Sequence, residues 1–224
     1  MKPTIDELHN SGRYELINSF RIDEMGQFLA QELGLQTSAQ PTKKPNNRFM
    51  TVFFLIGFLV GGGVFGYLVG GQLGKGGTGA PEVFGRAGTE FGLAFLGFFV
   101  LLPIHELIHA AVFKYYGAQK VGFGGSWKSM IVYAYAQQFV HNGRELFWVA
   151  IMPFLVISAG LIAGWIIWPQ YGLFWGMTLF IHTTACVGDF VLIRYQAKHK
   201  GARFYTYDDI ENEQRSYFFR EKAS

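Results

Sequence analysis

Four long runs of apolar residues alternate with polar regions, and each is long enough to form a transmembrane helix. They occupy Phe49–Val69, Phe91–Phe113, Phe147–Trp168 and Gly172–Ile193. The hydrocarbon core of a bilayer is about 30 Å thick, and about 20 apolar residues cross it as a helix. The pattern therefore predicts a mainly α-helical, polytopic membrane protein with four transmembrane helices.

The composition agrees with this prediction. The 224 residues are 50% hydrophobic and only 16% charged, whereas roughly a quarter of a typical soluble domain is charged. A soluble chain of this length could not surround four such helices with polar surface. The single cysteine, Cys186, excludes a disulfide scaffold. The net charge of +3 is too small to indicate a nucleic-acid partner.

Basic residues beside the apolar segments predict the orientation in the membrane. Eleven Lys and Arg residues flank the side that holds both termini and the loop between the second and third segments, and two flank the other side. Basic residues concentrate in cytoplasmic loops. The first 48 residues contain no apolar run typical of a cleaved signal peptide. We therefore expect a multi-pass protein of the cell (inner) membrane with both termini in the cytoplasm.

The polar regions divide the chain into three parts. Residues 1–48 predict a cytoplasmic appendage and linker, residues 49–193 a membrane domain, and residues 194–224 a cytoplasmic tail. Near the start, Thr4 and Glu7 have the spacing of a helix-capping box. Apolar residues recur at helical spacing over 22–33, which predicts an amphipathic helix there.

The loop between the second and third apolar segments has a different pattern. Val121–Gly125 and Met130–Phe139 are rich in residues typical of strands, and Tyr133 and Tyr135 alternate with alanines. This pattern predicts a short β-hairpin in the cytoplasmic loop between transmembrane helices 2 and 3.

His105, Glu106 and His109 form an H-E-x-x-H motif within the second apolar segment. Residues four apart lie on one face of a helix, so both histidines can ligate one metal ion. Zinc lowers the pKa of the water that it binds to about 7, and Glu106 can take a proton from that water. Ionisable residues inside a membrane segment are costly and usually functional. The alternative is a polar cluster that hydrogen-bonds one helix to another.

A catalytic zinc site needs a third protein ligand. Asp189 is the only carboxylate in the other three apolar segments. His109 and Asp189 each lie four residues before the cytoplasmic end of their segment, so both are roughly 6 Å inside that boundary at 1.5 Å per residue. This equal depth favours Asp189 as the third ligand, and an ion pair with Arg194 is the alternative.

Other polar or special residues in the segments allow more than one interpretation. His182 lies seven residues before Asp189, which is the same face of a continuous helix, so it is a candidate ligand, proton relay or hydrogen-bonded core residue. We interpret Cys186 as a packing residue. Pro103 and Pro153 loosen the second and third helices, although prolines are common in membrane helices.

The H-E-x-x-H motif in one membrane helix, followed by an aspartate in a later one, resembles the site-2 protease class of intramembrane zinc metalloproteases. More closely, residues 90–195 look like a family of bacterial membrane proteins described as zincin peptidases of unknown function. Their pattern is a short multi-span core, an HELxH-type motif, a β-like segment and a late aspartate. The resemblance implies zinc ligands at His105, His109 and Asp189, with Glu106 as the catalytic base.

These features predict a zinc-dependent intramembrane endopeptidase that hydrolyses peptide bonds of membrane-associated substrates. The scissile peptide would enter as an extended strand, and the predicted hairpin could pair with it by β-augmentation. The expected partners are a membrane protein or peptide and the lipid bilayer, with no nucleic acid. Two alternatives stay open at this point: a non-catalytic metal-binding membrane protein, and a metal or proton transporter that uses His182 and Asp189 as relay groups.

Overall fold

The computed structural model describes residues 2–34, 80–126, 131–199 and 203–222. The first apolar segment, Phe49–Val69, lies outside these residues, as does the linker predicted to follow the N-terminal helix. The transmembrane helix predicted for that segment therefore stays a prediction.

Two long helices form the most apolar part of the described chain. Helix α3 spans Ala80–Tyr115 and helix α4 spans Gly143–Ile167. By length and composition, Gly85–Tyr115 and the whole of α4 are able to cross a membrane. Large apolar side chains such as Leu96 and Val100 are more than half exposed along α3, which agrees with a bilayer around it. The second and third predicted segments are thus confirmed as helices, and each begins earlier than predicted.

The fourth apolar segment is helical, but it is broken into two helices and is not the single helix that was predicted. Helix α5 spans Gly172–Ala185 and helix α6 spans Val187–Lys198. Cys186 lies between them with ψ near 6°, outside helical geometry. The hydroxyls of Thr183 and Thr184 donate to carbonyls of the preceding turn at 2.7 and 2.8 Å, a contact that bends helices. Together α5 and α6 have the length and apolarity of a third, bent span.

A four-stranded antiparallel sheet joins the two ends of the chain, and the sequence did not predict it. Its order is β1-β6-β5-β4. The strands are β1 (Tyr14–Arg21), β4 (His141–Asn142), β5 (Phe204–Asp209) and β6 (Arg215–Glu221). The region predicted as a C-terminal tail therefore contributes the two central strands.

Short N-terminal helices cover this sheet. Helix α1 (Ile5–Asn10) begins with the predicted capping box, in which Thr4 and Glu7 each accept the other's backbone N–H. Helix α2 (Met25–Leu33) corresponds to the predicted amphipathic helix, and it ends at Gly34, whose φ of +70° is readily adopted by glycine. Leu8 of α1 is 1% exposed and packs among aromatic side chains of β5 and β6.

The predicted β-hairpin forms from β2 (Val121–Ser126) and β3 (Ile131–Ala136). The strands are antiparallel, with Phe123 paired to Ala134 and Gly124 to Tyr133. A Cβ atom at Gly124 would lie 2.5 Å from the Tyr133 ring, so glycine is what lets the ring cross the neighbouring strand. The hairpin's cytoplasmic location stays a prediction.

The chain divides into two compact units. The first comprises Met1–Lys44, His105–Pro153 and Gly188–Ser224, and so combines residues from all three predicted regions. The second comprises Pro45–Ile104 and Phe154–Val187.

Within the second unit, an acidic side chain joins two helices. The carboxylate of Glu90 in α3 accepts the backbone N–H of Phe174 in the first turn of α5, at 3.1 Å, and the Nε–H of Arg86 at 3.0 Å. Glu90 is buried. It therefore satisfies one of the free N–H groups at the start of α5.

Burial raises the pKa of Asp208 in β5 to about 6, although Ser216 Oγ donates to its carboxylate at 2.7 Å. An unfolded aspartate titrates near 3.9. Between about pH 4 and pH 6 the folded chain thus binds a proton that the unfolded chain has lost, and the free energy of unfolding falls as pH rises. We predict that Asp208→Asn stabilises the protein at pH 7 by at most about 3 kcal/mol and flattens this pH dependence.

Thermal unfolding of the purified protein in detergent between pH 4 and pH 7 measures this effect. Asp6→Asn, at an exposed position of α1, is the matched control and should leave the pH profile as it is in the wild type. An Asp208→Asn protein that is no more stable than the wild type at pH 7 would contradict the prediction.

Candidate functional site

The structure brings three predicted site residues together. His105 and His109 lie one turn apart near the end of α3, and their Nε2 atoms are 3.0 Å apart. Asp189, in the first turn of α6, places Oδ2 3.2 Å from His105 Nε2 and Oδ1 3.4 Å from His109 Nε2. All three side chains are at most 14% exposed. Four potential ligand atoms therefore converge on one point.

Helix α6 packs against residues from both terminal parts of the chain. Phe28 of α2 contacts the ring of Tyr195 edge to face, with the ring centroids 5.2 Å apart. Phe218 of β6 contacts Tyr195 in the same way at 5.4 Å. Glu32 of α2 forms an ion pair with Lys198 near the end of α6. The carboxylate of Asp189 is thus carried by a helix that is packed against α2 and the sheet.

A backbone carbonyl fixes the orientation of the His109 ring. Nδ1 of His109 lies 2.8 Å from the carbonyl oxygen of Val149 in α4. A carbonyl oxygen can only accept a hydrogen bond, so Nδ1 carries the proton. In a neutral imidazole the other nitrogen then has a free lone pair. Nε2 of His109 therefore presents a lone pair to His105 and Asp189.

The three side chains fit a zinc ion. Ligand atoms at about 2.0–2.2 Å in a tetrahedral arrangement lie about 3.4 Å from one another, and the measured separations are 3.0, 3.2 and 3.4 Å. Two imidazole nitrogens and one carboxylate are also the donor types that catalytic zinc sites use. His105, His109 and Asp189 would hold the ion.

Glu106 lies beside this cluster and is 7% exposed. Its carboxylate accepts a hydrogen bond from the backbone N–H of Ala134 in β3. Its second oxygen, Oε2, is buried and has no hydrogen-bond partner among the described residues. A buried carboxylate oxygen without a partner is costly, so the site is suited to a group that brings a proton to this atom.

The hairpin that contacts Glu106 is fixed to the C-terminal strands by Asp209, at the end of β5. The side-chain amides of Gln137 and Gln138 donate to its two carboxylate oxygens at 2.6 and 2.9 Å. Asn212 donates to Oδ1 through its backbone and its side chain, at 3.2 and 2.8 Å. Burial acts to raise the pKa of Asp209, but these hydrogen bonds outweigh burial and lower it below the ordinary value. The carboxylate therefore stays ionised and holds the end of β3 to the turn after β5.

His182 and Cys186 contact each other near the end of α5, with Cys186 Sγ 3.6 Å from His182 Nε2. Both side chains are buried. Because the helix is interrupted at Cys186, His182 and Asp189 belong to different helices. The inference that they share one face of a continuous helix is therefore wrong.

Sequence reasoning missed two contributors to this arrangement. The carbonyl of Val149 carries no sequence signal of its own, although Pro153, four residues later, marks the place where a helical carbonyl loses its donor. Ala134 contributes only its backbone N–H, which no residue pattern reveals.

A known protein family matches part of the chain. The family model described as "Putative zincin peptidase" matches residues 98–202, which include the motif, the hairpin and Asp189. No curated protein and no solved structure matches the chain. The family predicted from the sequence is therefore confirmed for residues 98–202: this part of the chain matches the putative zincin peptidases, a family of unknown function.

Proposed function

We propose that this protein is a zinc-dependent endopeptidase that cleaves membrane-associated polypeptides. The observation that carries the proposal is the convergence of His105, His109 and Asp189 beside the buried carboxylate of Glu106. The family match supports a metallopeptidase.

In this proposal Glu106 carries out the proton transfers. A zinc ion held by the three ligands would polarise the scissile carbonyl and make water a better nucleophile. Oε2 of Glu106 takes the proton of the attacking water and delivers it to the leaving amine nitrogen. The N–H of Ala134 binds the other carboxylate oxygen, which orients Oε2 while the proton moves.

The edge of β3 is suited to hold the substrate. The N–H of Ala134 points to Glu106, away from β2. Backbone groups two residues apart point to the same edge of a strand, so those of Val132, which is exposed, share this direction. Ala136 is fully buried, and its carbonyl oxygen accepts the N–H of Phe139. An extended peptide can pair with such an edge by β-augmentation. The substrate would then lie along the hairpin, and the peptide backbone of the substrate would face the metal-binding residues and Glu106.

The proposed membrane arrangement has four spans, formed by Phe49–Val69, α3, α4 and the bent pair α5–α6. The hairpin and both termini would be cytoplasmic, as the basic residues predict. The C-terminal ends of α3 and α6 would then both be on the cytoplasmic side, in keeping with the contact between His109 and Asp189.

Reporter fusions test this topology. A fusion after Tyr171 should report an external location, and a fusion at Ser224 a cytoplasmic one. Phosphatase and fluorescent-protein reporters, which are active on opposite sides of the inner membrane, supply the two readouts. An external C-terminus would contradict the proposed arrangement.

Metal analysis of purified variants tests the ligands. We predict about one zinc per chain in the wild type, because the three donors complete the protein part of a catalytic site. His109→Ala and Asp189→Ala should lose this stoichiometric zinc. His182→Ala should keep most of it.

His9→Ala and Asp6→Ala change the same residue types in the N-terminal region and serve as matched controls with full zinc. Elemental analysis after dialysis against a weak chelator gives the metal content. If His182→Ala lost zinc and Asp189→Ala kept it, the assignment of the third ligand would be reversed.

Glu106→Gln separates the peptidase from a metal-binding protein without activity. The amide keeps the shape of the side chain but cannot accept the proton of the attacking water. We predict that the variant retains zinc and loses peptide cleavage by about 10²–10⁴-fold, measured with a membrane-anchored model substrate in proteoliposomes.

Glu15→Gln, on the exposed side of β1, is the control and should cleave like the wild type. Full activity in Glu106→Gln would exclude the carboxylate as base. Loss of zinc together with activity would indicate a structural role instead.

A further inference from the structure

Pro153 lies in α4, four residues after the carbonyl that binds His109. In an α-helix the N–H of each residue donates to the carbonyl oxygen four residues earlier. Proline has no N–H, so position 153 cannot donate to Val149. The carbonyl oxygen of Val149 instead accepts the Nδ1–H of His109 at 2.8 Å.

We infer that Pro153 is a positioning residue of the metal site, because it leaves the Val149 carbonyl free to bind His109 and so directs the lone pair of Nε2 towards His105 and Asp189. This inference rests on the proposed zinc site. It adds a residue that neither contacts the ligand atoms nor belongs to the H-E-x-x-H motif.

Burial makes this arrangement selective. Val149 is 5% exposed and His109 is 8% exposed, and Pro153 is less than 2% exposed, so water does not readily replace either partner of the bond between Val149 and His109. The ring of a proline within a helix also clashes with the carbonyl four residues earlier and tilts it away from the helix axis. A residue with an N–H at position 153 would draw the carbonyl back into the helix.

The second helical proline provides a contrast within the same chain. Pro103 in α3 removes the donor for the carbonyl of Phe99. The Phe99 side chain is 53% exposed, on the apolar surface of α3. A proline in a membrane helix therefore does not by itself indicate a site, and the assignment of Pro153 depends on the measured bond to His109.

Groups that orient a metal-binding histidine typically contribute 10–100-fold to metal affinity. Pro153→Ala restores the backbone N–H. The matched control incorporates the α-hydroxy analogue of alanine at position 153, so that an ester oxygen replaces the N–H. The two proteins carry the same side chain, and they differ in the donor at position 153 and in the weaker, ester carbonyl of Met152, which does not contact His109. The comparison therefore separates the effect of the donor from loss of the proline ring.

Two measurements on the full-length protein in detergent distinguish the variants. Zinc affinity is obtained by competition with a chromogenic chelator. The protonated nitrogen of His109 is identified in the metal-free protein by ¹⁵N NMR of labelled histidines, with the signal assigned from the spectrum of His109→Gln. The second measurement does not require zinc binding or activity.

We expect Pro153→Ala to bind zinc 10–100-fold more weakly and to lose the preference for the Nδ1–H form of His109. The α-hydroxy variant should resemble the wild type in both measurements. Wild-type zinc affinity in Pro153→Ala would overturn the inference, as would an equal loss in the α-hydroxy variant. A wild type that binds no zinc would refute the proposed function, whereas the NMR comparison would still decide the role of Pro153.

A further variant decides the question if Pro153→Ala does not fold. The α-hydroxy analogue of alanine at position 150 converts the Val149 carbonyl into an ester carbonyl, a weaker acceptor, and leaves Pro153 in place. If the inference is correct, this variant binds zinc more weakly than the wild type and has a weaker preference for the Nδ1–H form of His109. An unchanged His109 signal would overturn it.

Discussion

The main constraint on the site is that lone pairs which point at one another repel, so the rest of the chain must hold them together. Two imidazole nitrogens and the carboxylate oxygens of Asp189 lie 3.0–3.4 Å apart in a largely buried cluster. Water screens such a cluster poorly, and charges interact strongly where the dielectric constant is low. A proton on one histidine would offset part of this repulsion, and a divalent cation would attract all of the lone pairs at once. The donor set and its spacing favour zinc.

Holding these groups together requires structure from outside the motif. Asp189 is carried by α6, which packs against α2 and β6 through Tyr195. The hairpin that orients Glu106 is tied to the turn after β5 by Asp209. Helix α2 and strands β5 and β6 lie entirely outside the residues that match the family model. The terminal regions thus supply a frame for a site whose candidate ligands all come from the matched part.

Local sequence patterns were sufficient to predict the long apolar helices, the capping box at Thr4 and the hairpin, because each of these features depends on residues that are close in sequence. The equal depths predicted for His109 and Asp189 also anticipated their contact. The four-stranded sheet escaped prediction since β1 pairs with β6 across about 200 residues of chain, and no local pattern reports such pairing. Aromatic residues on both faces of β5 also hide the alternation that indicates a strand. At the break, the hydroxyls of Thr183 and Thr184 bond to carbonyls of the preceding turn, and neither residue is a helix-breaking signal as glycine or proline would be at Cys186.

The position of Glu106 limits how a peptide can bind in the proposed function. The N–H of Ala134 is one of the backbone groups on the outer edge of β3, and Glu106 already accepts it. A peptide that accepted a hydrogen bond from this N–H would compete with Glu106 for it. The carboxylate would then lose its hydrogen bond to Ala134, which is the backbone anchor of its orientation. Ala136 is fully buried, and its carbonyl oxygen already accepts the N–H of Phe139. Pairing that preserves the anchor must therefore use the backbone groups of Val132. The peptide bond opposite Ala134 would then lie next to Oε2 of Glu106, so the same strand both aligns the substrate and orients the base.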